Sequence, residues 1–203
     1  MPAPALFPAD WIRPADGAAA DDLALAVLLV NSRDDMADPP DRLTSIDWFA
    51  AVLNATGHPG QAAALSPADV PGLRALRDGL RATFTAGTAE AAAAAVNPLL
   101  LAARAIPVLV AGPGGSAGLA VAPGGAGAEA LAARLPAALA GFIAQHGLRR
   151  LGSCAAGPCA CVFVDRTRAV NRRYCRDLCN DRAAASAYRR RQSLPHQIPP
   201  PRA

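Results

Sequence analysis

Long hydrophobic runs, lysine and aromatic residues are all scarce in this 203-residue sequence. The longest apolar run, Leu23 to Val30, has only eight residues, which excludes a membrane span of about 20 residues. The 17 glycines and 19 prolines follow no Gly-X-Y period, which excludes a collagen-like chain, and 52% hydrophobic residues exclude disorder throughout. Met1 to Pro14 lacks the basic start and apolar stretch of a secretory signal, so we expect a soluble, cytoplasmic protein.

Every one of the 20 basic residues is an arginine, and these residues are unevenly distributed. Residues 1–148 carry 8 arginines and 13 acidic residues, a net charge of −5. Residues 149–191 carry 11 arginines and 3 acidic residues, a net charge of +8, and also hold all five cysteines. Arg202 supplies the last unit of the total of +4. This asymmetry predicts a two-part protein whose basic end meets a polyanion.

Residues 21–147 have the pattern of a mostly helical α+β domain with one hairpin, behind a flexible lead-in at residues 1–20. The apolar segment 23–31 fits either a buried strand or a short core helix, because so short a run has no diagnostic period. Two strands around a glycine-rich turn are predicted within residues 106–122, where no phosphate-loop pattern occurs. Four further helices are predicted: Thr44 to Thr56, one from Ser66 with a stripe of Val70, Leu73, Arg77, Leu80 and Phe84, one from Thr88, and Glu129 to His146.

The cysteines form two close pairs, Cys154 with Cys159 and Cys175 with Cys179, separated by a short predicted strand and an arginine-rich turn. Two such pairs suit a tetrahedral zinc site, with one structural Zn²⁺ per chain. A knuckle, a hairpin and a helix converging on one ion would form a small treble-clef-like finger, which is too short to fold without a metal.

Disulfides and an iron–sulfur cluster are the alternatives to zinc. Disulfides are disfavoured because no export signal is present, and the cysteine spacings do not fit the common ferredoxin runs. Cys161 is left over by the zinc assignment. It is a packed strand residue, an alternative ligand or a redox-sensitive thiol.

The cysteine segment follows one longer pattern: C-x4-C, an F-x-D strand, R-R-Y-C, and C-N-D-R before a basic helix. The residues concerned are Cys154, Cys159, Phe163, Asp165, Arg172, Arg173, Tyr174, Cys175, Cys179 and Arg182. This pattern resembles the CGNR zinc finger. Leu28 to Ser32, and Asp41-Arg42-Leu43 followed by Trp48-Phe49, resemble the V-N-T/S and D-x-L…W-L segments of the ABATE domain that usually precedes that finger.

The resemblance implies an ABATE-like domain at residues 21–147 and a finger at 148–192, and the proline-rich composition of residues 193–203 predicts a disordered tail. The resemblance also implies a bacterial, stress-induced type of transcription regulator whose finger binds DNA through an arginine-rich helix. The N-terminal domain would then sense a small-molecule effector or form a homodimer. One departure is that the name-giving C-G-N-R is Cys179-Asn180-Asp181-Arg182 here, and the carboxylate of Asp181 would repel a phosphate.

Six arginines are candidate nucleic-acid contacts, because arginine suits bidentate binding of phosphate: Arg172, Arg173, Arg182, Arg189, Arg190 and Arg191. Arg182 is equally suited to donate to a thiolate sulfur or a carbonyl beside the metal. We expect no enzyme, since four cysteines close the coordination shell of zinc and no common hydrolase or deaminase motif occurs. A protein–protein or RNA-binding adaptor, and a redox sensor using Cys161, are the alternative functions.

Overall fold

A computed structural model describes residue 7, residues 21–122 and residues 125–193 of the chain. The expected flexible lead-in, apart from Phe7, and the expected tail from residue 194 lie outside the described residues. The helices are α1 (Asp22–Val30), α2 (Asp47–Ala55), α3 (Pro59–Ala63), α4 (Val70–Phe84), α5 (Ala89–Ala102), α6 (Gly127–His146) and α7 (Asp177–Ser193). The strands are β1 (Pro107–Ala111), β2 (Ala117–Val121), β3 (Leu151–Ser153) and β4 (Val162–Val164).

Helix α1 is the centre of the molecule and resolves the ambiguity of residues 23–31. Asp21 caps it, its carboxylate accepting from the backbone N–H of Ala24 at 2.7 Å. Every residue from Leu25 to Val30 is buried, as expected of a helix that is apolar on all sides. It contacts α2, α4, α6 and β4, so both parts of the chain meet on this helix.

Helix α4 follows the start signal and the apolar stripe predicted for it. The backbone N–H of Ser66 donates to the Asp69 carboxylate at 2.7 Å, and Pro67–Asp69 forms a 3₁₀ turn that leads into the helix. The stripe of Val70, Leu73, Arg77, Leu80 and Phe84 is buried. The guanidinium of Arg77 is buried with its stem, because it pairs with Asp41 at 2.7 Å.

Helix α6 closes the core, with Leu131, Leu135 and Leu139 fully buried. Within the described residues it is the one helix long and apolar enough to cross a membrane, on length and composition alone. It packs against α1, α4 and α5, and Arg134 on it pairs with Asp22 of α1 at 2.5 Å. Core helices satisfy the same length and composition test, and these contacts give α6 that role here.

The predicted hairpin at residues 106–122 is confirmed. Strands β1 and β2 pair antiparallel from Pro107 opposite Val121 to Ala111 opposite Ala117. Gly114 turns the chain with φ of 67°, a left-handed conformation that favours glycine. Leu109 and Leu119 face each other across the strands and are 75% and 80% exposed.

The last part of the chain is a second small hairpin followed by α7. Strands β3 and β4 pair antiparallel from Leu151 opposite Val164 to Ser153 opposite Val162. Strand β4 is buried and contacts α1. The α+β class is therefore confirmed: a mostly helical N-terminal region with one hairpin, followed by a small cysteine-rich unit of hairpin and helix.

Candidate metal centre and nucleic-acid interface

The four predicted ligands come together at one point. The sulfur atoms of Cys154, Cys159, Cys175 and Cys179 all lie within 4.8 Å of one another, and all four residues are buried. The Sγ of Cys175 is 3.7 Å from those of both Cys159 and Cys179. A tetrahedron with Zn–S bonds of about 2.3 Å has S···S edges of about 3.8 Å. The spacing therefore fits a zinc ion, and no disulfide joins any of the cysteines.

The first pair lies on a tight knuckle between β3 and β4. The backbone N–H of Cys154 donates to the carbonyl of Cys161 at 2.9 Å, and that of Cys159 donates to Ala156 at 3.1 Å. The N–H of Ala155 donates to the carbonyl of Arg173 at 2.9 Å, which ties this knuckle to the segment before the second pair. The knuckle therefore turns both thiols towards one interior point.

The second pair brackets the start of α7. Cys175 precedes the first residue of the helix, Asp177, and Cys179 lies in its first turn. The departure at Asn180 is accommodated because Asn180 lies inside α7, where no left-handed backbone is required. The finger therefore keeps its four ligands despite the altered C-N-D-R sequence.

The thiols differ in how easily they ionise. A hydrogen bond from Cys161 lowers the pKa of the Cys159 thiol, whereas the same contact raises the pKa of Cys161. Burial raises the pKa of Cys154. Because thiolates this close repel one another, a divalent cation is what lets four of them ionise together. The residues present thus fit one structural zinc.

Two guanidinium groups offset the charge of such a site. An Nη of Arg182 donates to the carbonyl of Ala156 at 2.6 Å and lies 3.9 Å from the Sγ of Cys179. Burial opposes the charge of Arg176, but a hydrogen bond to Cys179 and the charge of Asp34 outweigh it and raise the pKa of Arg176. Four thiolates around Zn²⁺ carry a formal charge of −2, which these two arginines offset in part, since Arg176 also pairs with Asp34.

Comparison with protein families agrees with this architecture. The family model described as "ABATE: Putative stress-induced transcription regulator" matches residues 23–146, more than half of the chain. The chain belongs to the ABATE family. A second model, the CGNR zinc finger, matches residues 150–192, directly behind it. No curated protein matches the chain significantly.

Cys161 lies beside the zinc ligands of the CGNR finger but outside the group of four. It is fully buried, and with Cys159 and Asp34 it forms a second cluster of side chains that are able to bind a metal. The Asp34 carboxylate is already engaged by Arg176 at 3.4 Å and by the backbone N–H of Met36 at 3.0 Å. We therefore interpret Cys161 as a packed thiol, and its exclusion from the zinc shell stays a prediction.

The six arginines proposed as nucleic-acid contacts fall into two groups in the CGNR finger. Arg172 and Arg182 are engaged inside it: Nε of Arg172 donates to the carbonyl of Tyr174 at 2.9 Å, and its guanidinium lies 5.0 Å from the centre of the Phe163 ring. The other four are exposed, with one before α7 and three in its last turns: Arg173, Arg189, Arg190 and Arg191. A phosphate-binding role for any of the six stays a prediction.

Asp165 of the F-x-D strand organises the turn before α7. Its carboxylate accepts from the backbone N–H groups of Thr167 and Arg172, both at 2.8 Å. Burial acts to raise its pKa, but these hydrogen bonds and the one from the Thr167 hydroxyl outweigh burial and lower the pKa. Asp165 is thus an ionised anchor of the finger.

Sequence reasoning missed the junction between the ABATE domain and the finger. The Asn31 side chain pairs with Val162 of β4 in both directions: its Nδ2 donates to the carbonyl at 2.9 Å, and its Oδ1 accepts from the N–H at 2.8 Å. Arg81 of α4 donates to the carbonyls of Ala160 at 2.7 Å and Val30 at 2.8 Å. The V-N-S motif contained Asn31, but no sequence signal identified its partner 131 residues away.

Proposed function

We propose that this protein is a cytoplasmic transcription regulator that binds DNA through its CGNR finger, while the ABATE domain senses an effector or forms a homodimer. The observation that carries the proposal is the charge of the finger: +8 in residues 149–191 against −5 in residues 1–148. Duplex DNA is the polyanion that such a segment binds with strong salt dependence.

The metal site is compatible with the proposal because the arginines that offset its negative charge are not the arginines that are exposed to solvent. Arg176 and Arg182 lie against the thiolates and offset them. Arg166, Arg168 and Arg173, before α7, and Arg189, Arg190 and Arg191, at its end, are exposed. Together with Arg149, which is also exposed, these side chains supply the positive field that faces solvent. The zinc has a structural role in this account, since four cysteines leave it no open position.

The junction gives the ABATE domain a way to influence the finger. Asn31 ends α1, and Asp34 follows in the next loop, pairing with Arg176 beside Cys179. A ligand or a second copy that shifts this loop would change contacts of the finger directly. A single finger has a small footprint, so a homodimer would also supply the second half-site that useful specificity requires.

A protein-interaction adaptor is the second candidate function. The observation that favours it is the outer face of the β1–β2 hairpin, where Leu109 and Leu119 lie side by side and exposed. No charged residue occurs between Arg104 and Glu129, so this face is apolar and uncharged. Apolar patches of this kind are a frequent feature of protein-binding surfaces.

Selection of bound duplexes from a random oligonucleotide pool, using the zinc-loaded full chain, tests the proposal against the adaptor. We expect enrichment of a shared sequence, and loss of binding in the variant Arg189→Gln, Arg190→Gln, Arg191→Gln. The control Arg104→Gln removes one exposed arginine outside the finger and should select the same sequence. A pool that stays random, with weak binding that the triple variant leaves unchanged, would favour the adaptor.

A further inference from the structure

A cleft of about 680 Å³ lies beside the first turn of α7, on the finger. Its wall includes four arginines, Arg166, Arg172, Arg173 and Arg176, against one acidic residue, Asp177. Asn171, Thr167 and Asn180 add uncharged hydrogen-bonding groups. A concave site with a net positive wall and amide donors is suited to an anion.

Two of the arginines are fixed parts of the wall. Arg172 is held by the carbonyls of Tyr174 and Cys175 and by the face of Phe163. Arg176 is held by Asp34, which is fully shielded from solvent. Arg176 already offsets Asp34 and the thiolates, so the fixed positive charge of the wall comes mainly from Arg172. That charge is in position before any ligand arrives, which lowers the cost of ordering the site.

The other two arginines are exposed and can turn to a ligand. Arg173 lies over the ring of Tyr174, 5.8 Å from its centre. Arg166 pairs with Asp21, but both side chains of that pair are about half exposed. Exposed ion pairs contribute little, so a phosphate can replace Asp21 at little cost.

The helix adds to the same field. Helix α7 has 17 residues and starts at Asp177, so the positive end of its dipole lies beside the cleft, although the backbone N–H groups of Cys179 and Asn180 already donate to the carbonyl of Arg176. Asp181, the carboxylate that sequence analysis expected to repel phosphate, is not among the residues that line the cleft. Asn180, which does line it, carries an amide that can donate.

We propose that this cleft binds the phosphate group of a nucleotide unit, with Arg166 and Arg173 as the mobile contacts and Tyr174 beside the sugar or base. The volume suits a nucleotide better than a bare phosphate ion, since ligand sites for small molecules occupy about 300–1,000 Å³. The nucleotide comes either from the DNA backbone, in which case the site rests on the proposed function, or from a free nucleotide.

The test compares two charge-matched variants of the zinc-loaded full chain. Arg166→Gln with Arg173→Gln removes the mobile contacts of the cleft, and Arg189→Gln with Arg190→Gln removes two arginines at the far end of α7. The first probe is adenosine monophosphate, with inorganic phosphate alongside, read by amide chemical shifts of Asn171, Tyr174 and Asn180. The second probe is a 20-base-pair duplex, titrated at several salt concentrations. Zinc content and melting temperature check that both variants fold.

We expect the duplex affinity of the cleft variant to fall at least tenfold, and the slope of log affinity against log salt to become shallower by about two. If adenosine monophosphate changes the amide chemical shifts of the wild type and of the variant at the end of α7, but not those of the cleft variant, the cleft binds a free nucleotide. If the cleft variant has a shallower salt slope for duplex binding, but adenosine monophosphate changes no chemical shift in the wild type, the cleft binds only the phosphates of the DNA backbone.

The two proposals fail separately. If the wild type binds duplex DNA but the cleft variant changes neither the salt slope nor any nucleotide shift, the cleft proposal is overturned and DNA binding stands. If the wild type does not bind duplex DNA but its nucleotide shifts disappear in the cleft variant, the DNA-binding proposal is overturned and the cleft stands. If neither probe binds the wild type, both are overturned.

Discussion

At the scale of single residues, Asn31 has the largest consequence for the architecture. Its side-chain amide makes the two hydrogen bonds with the backbone of Val162 that a neighbouring strand would otherwise make. The Nδ2 of Asn31 donates to the carbonyl, and its Oδ1 accepts from the N–H. Both partners are shielded from water, so neither backbone group can be solvated if the amide is lost. A single side chain thus satisfies two polar groups at the junction.

We therefore expect Asn31→Ala to destabilise the protein by about 2–4 kcal/mol, the cost of leaving two buried backbone groups unpaired. Thermal or denaturant unfolding of the zinc-loaded chain measures this. Asn54→Ala is the matched control, because Asn54 is exposed on α2 and should change stability by less than about 0.5 kcal/mol. Equal effects of the two substitutions would contradict the role assigned to Asn31.

The assignment of zinc ligands is also a prediction about single residues. Cys161→Ser should keep one equivalent of zinc, because the sulfur of Cys161 lies outside the cluster of four. Cys175→Ser should lose the metal, since Cys175 has two of its partners at 3.7 Å. Metal analysis of the purified variants measures both. Zinc loss in Cys161→Ser, or iron in the wild type, would overturn the assignment.

A third prediction at this scale concerns Asp41 and pH. Burial acts to raise the pKa of Asp41, but hydrogen bonds from Arg77 and the Leu43 N–H, with the charges of Arg77 and Arg74, lower it overall. A lowered pKa in the folded state stabilises the protein above the ordinary carboxyl pKa of about 4, and this contribution disappears as pH falls through the folded value.

The variant Asp41→Asn should consequently be less stable than wild type at pH 7, and the difference should shrink as pH falls below the ordinary carboxyl pKa of about 4. Denaturant unfolding at several pH values measures the free energy of unfolding of both proteins. Zinc loss at low pH affects both proteins equally, so it cancels when the two free energies are subtracted. Asp35→Asn is the control, because Asp35 is exposed. A difference independent of pH would show that the charge of Asp41 does not matter.

At the scale of elements, local signals were sufficient for α4 and for the first hairpin. Ser66, Pro67 and Asp69 define the start of α4, and the glycine-rich turn between two apolar runs defines β1 and β2. Helix α1 was ambiguous because eight successive apolar residues have no period, and a buried strand would be equally apolar; its packing against α2, α4, α6 and β4 shows a helix. Tertiary packing decided that element.

The candidate site was predictable to a similar extent. Cysteine spacing identifies the four ligands, because a tetrahedral zinc site requires two pairs of cysteines that are close together in the sequence. The internal roles of Arg172 and Arg182 were harder to assign, since a basic residue near a turn looks the same in sequence whether it binds a carbonyl or a phosphate. Only the positions of Tyr174 and Ala156 distinguish the two.

Removal of zinc should loosen both sides of the junction, because β4 is held by the finger on one side and by Asn31 on the other. After chelation we expect faster hydrogen exchange at Val162, in the first turn of α7 and at the end of α1. The β1–β2 hairpin, which lies outside these contacts, should keep its exchange rates. Unchanged protection at the end of α1 would show that the ABATE domain does not depend on the finger.

At the scale of the whole molecule, an acidic domain and a basic finger share one continuous core. The buried residues of α1, α4 and α6 form one hydrophobic cluster with β4 and the four zinc ligands. Charge separates the two parts, whereas packing joins them. The ABATE domain thus has a fixed contact with the part of the molecule that we propose to meet DNA.

A salt titration of duplex binding by the zinc-loaded chain tests whether the finger binds DNA through its exposed arginines. Seven arginines of the finger are exposed, and if four or five of them reach phosphate, log affinity should fall with log salt at a slope of roughly −4. The same titration after chelation should lose most of the binding. A flat slope, or equal binding with and without zinc, would contradict the account.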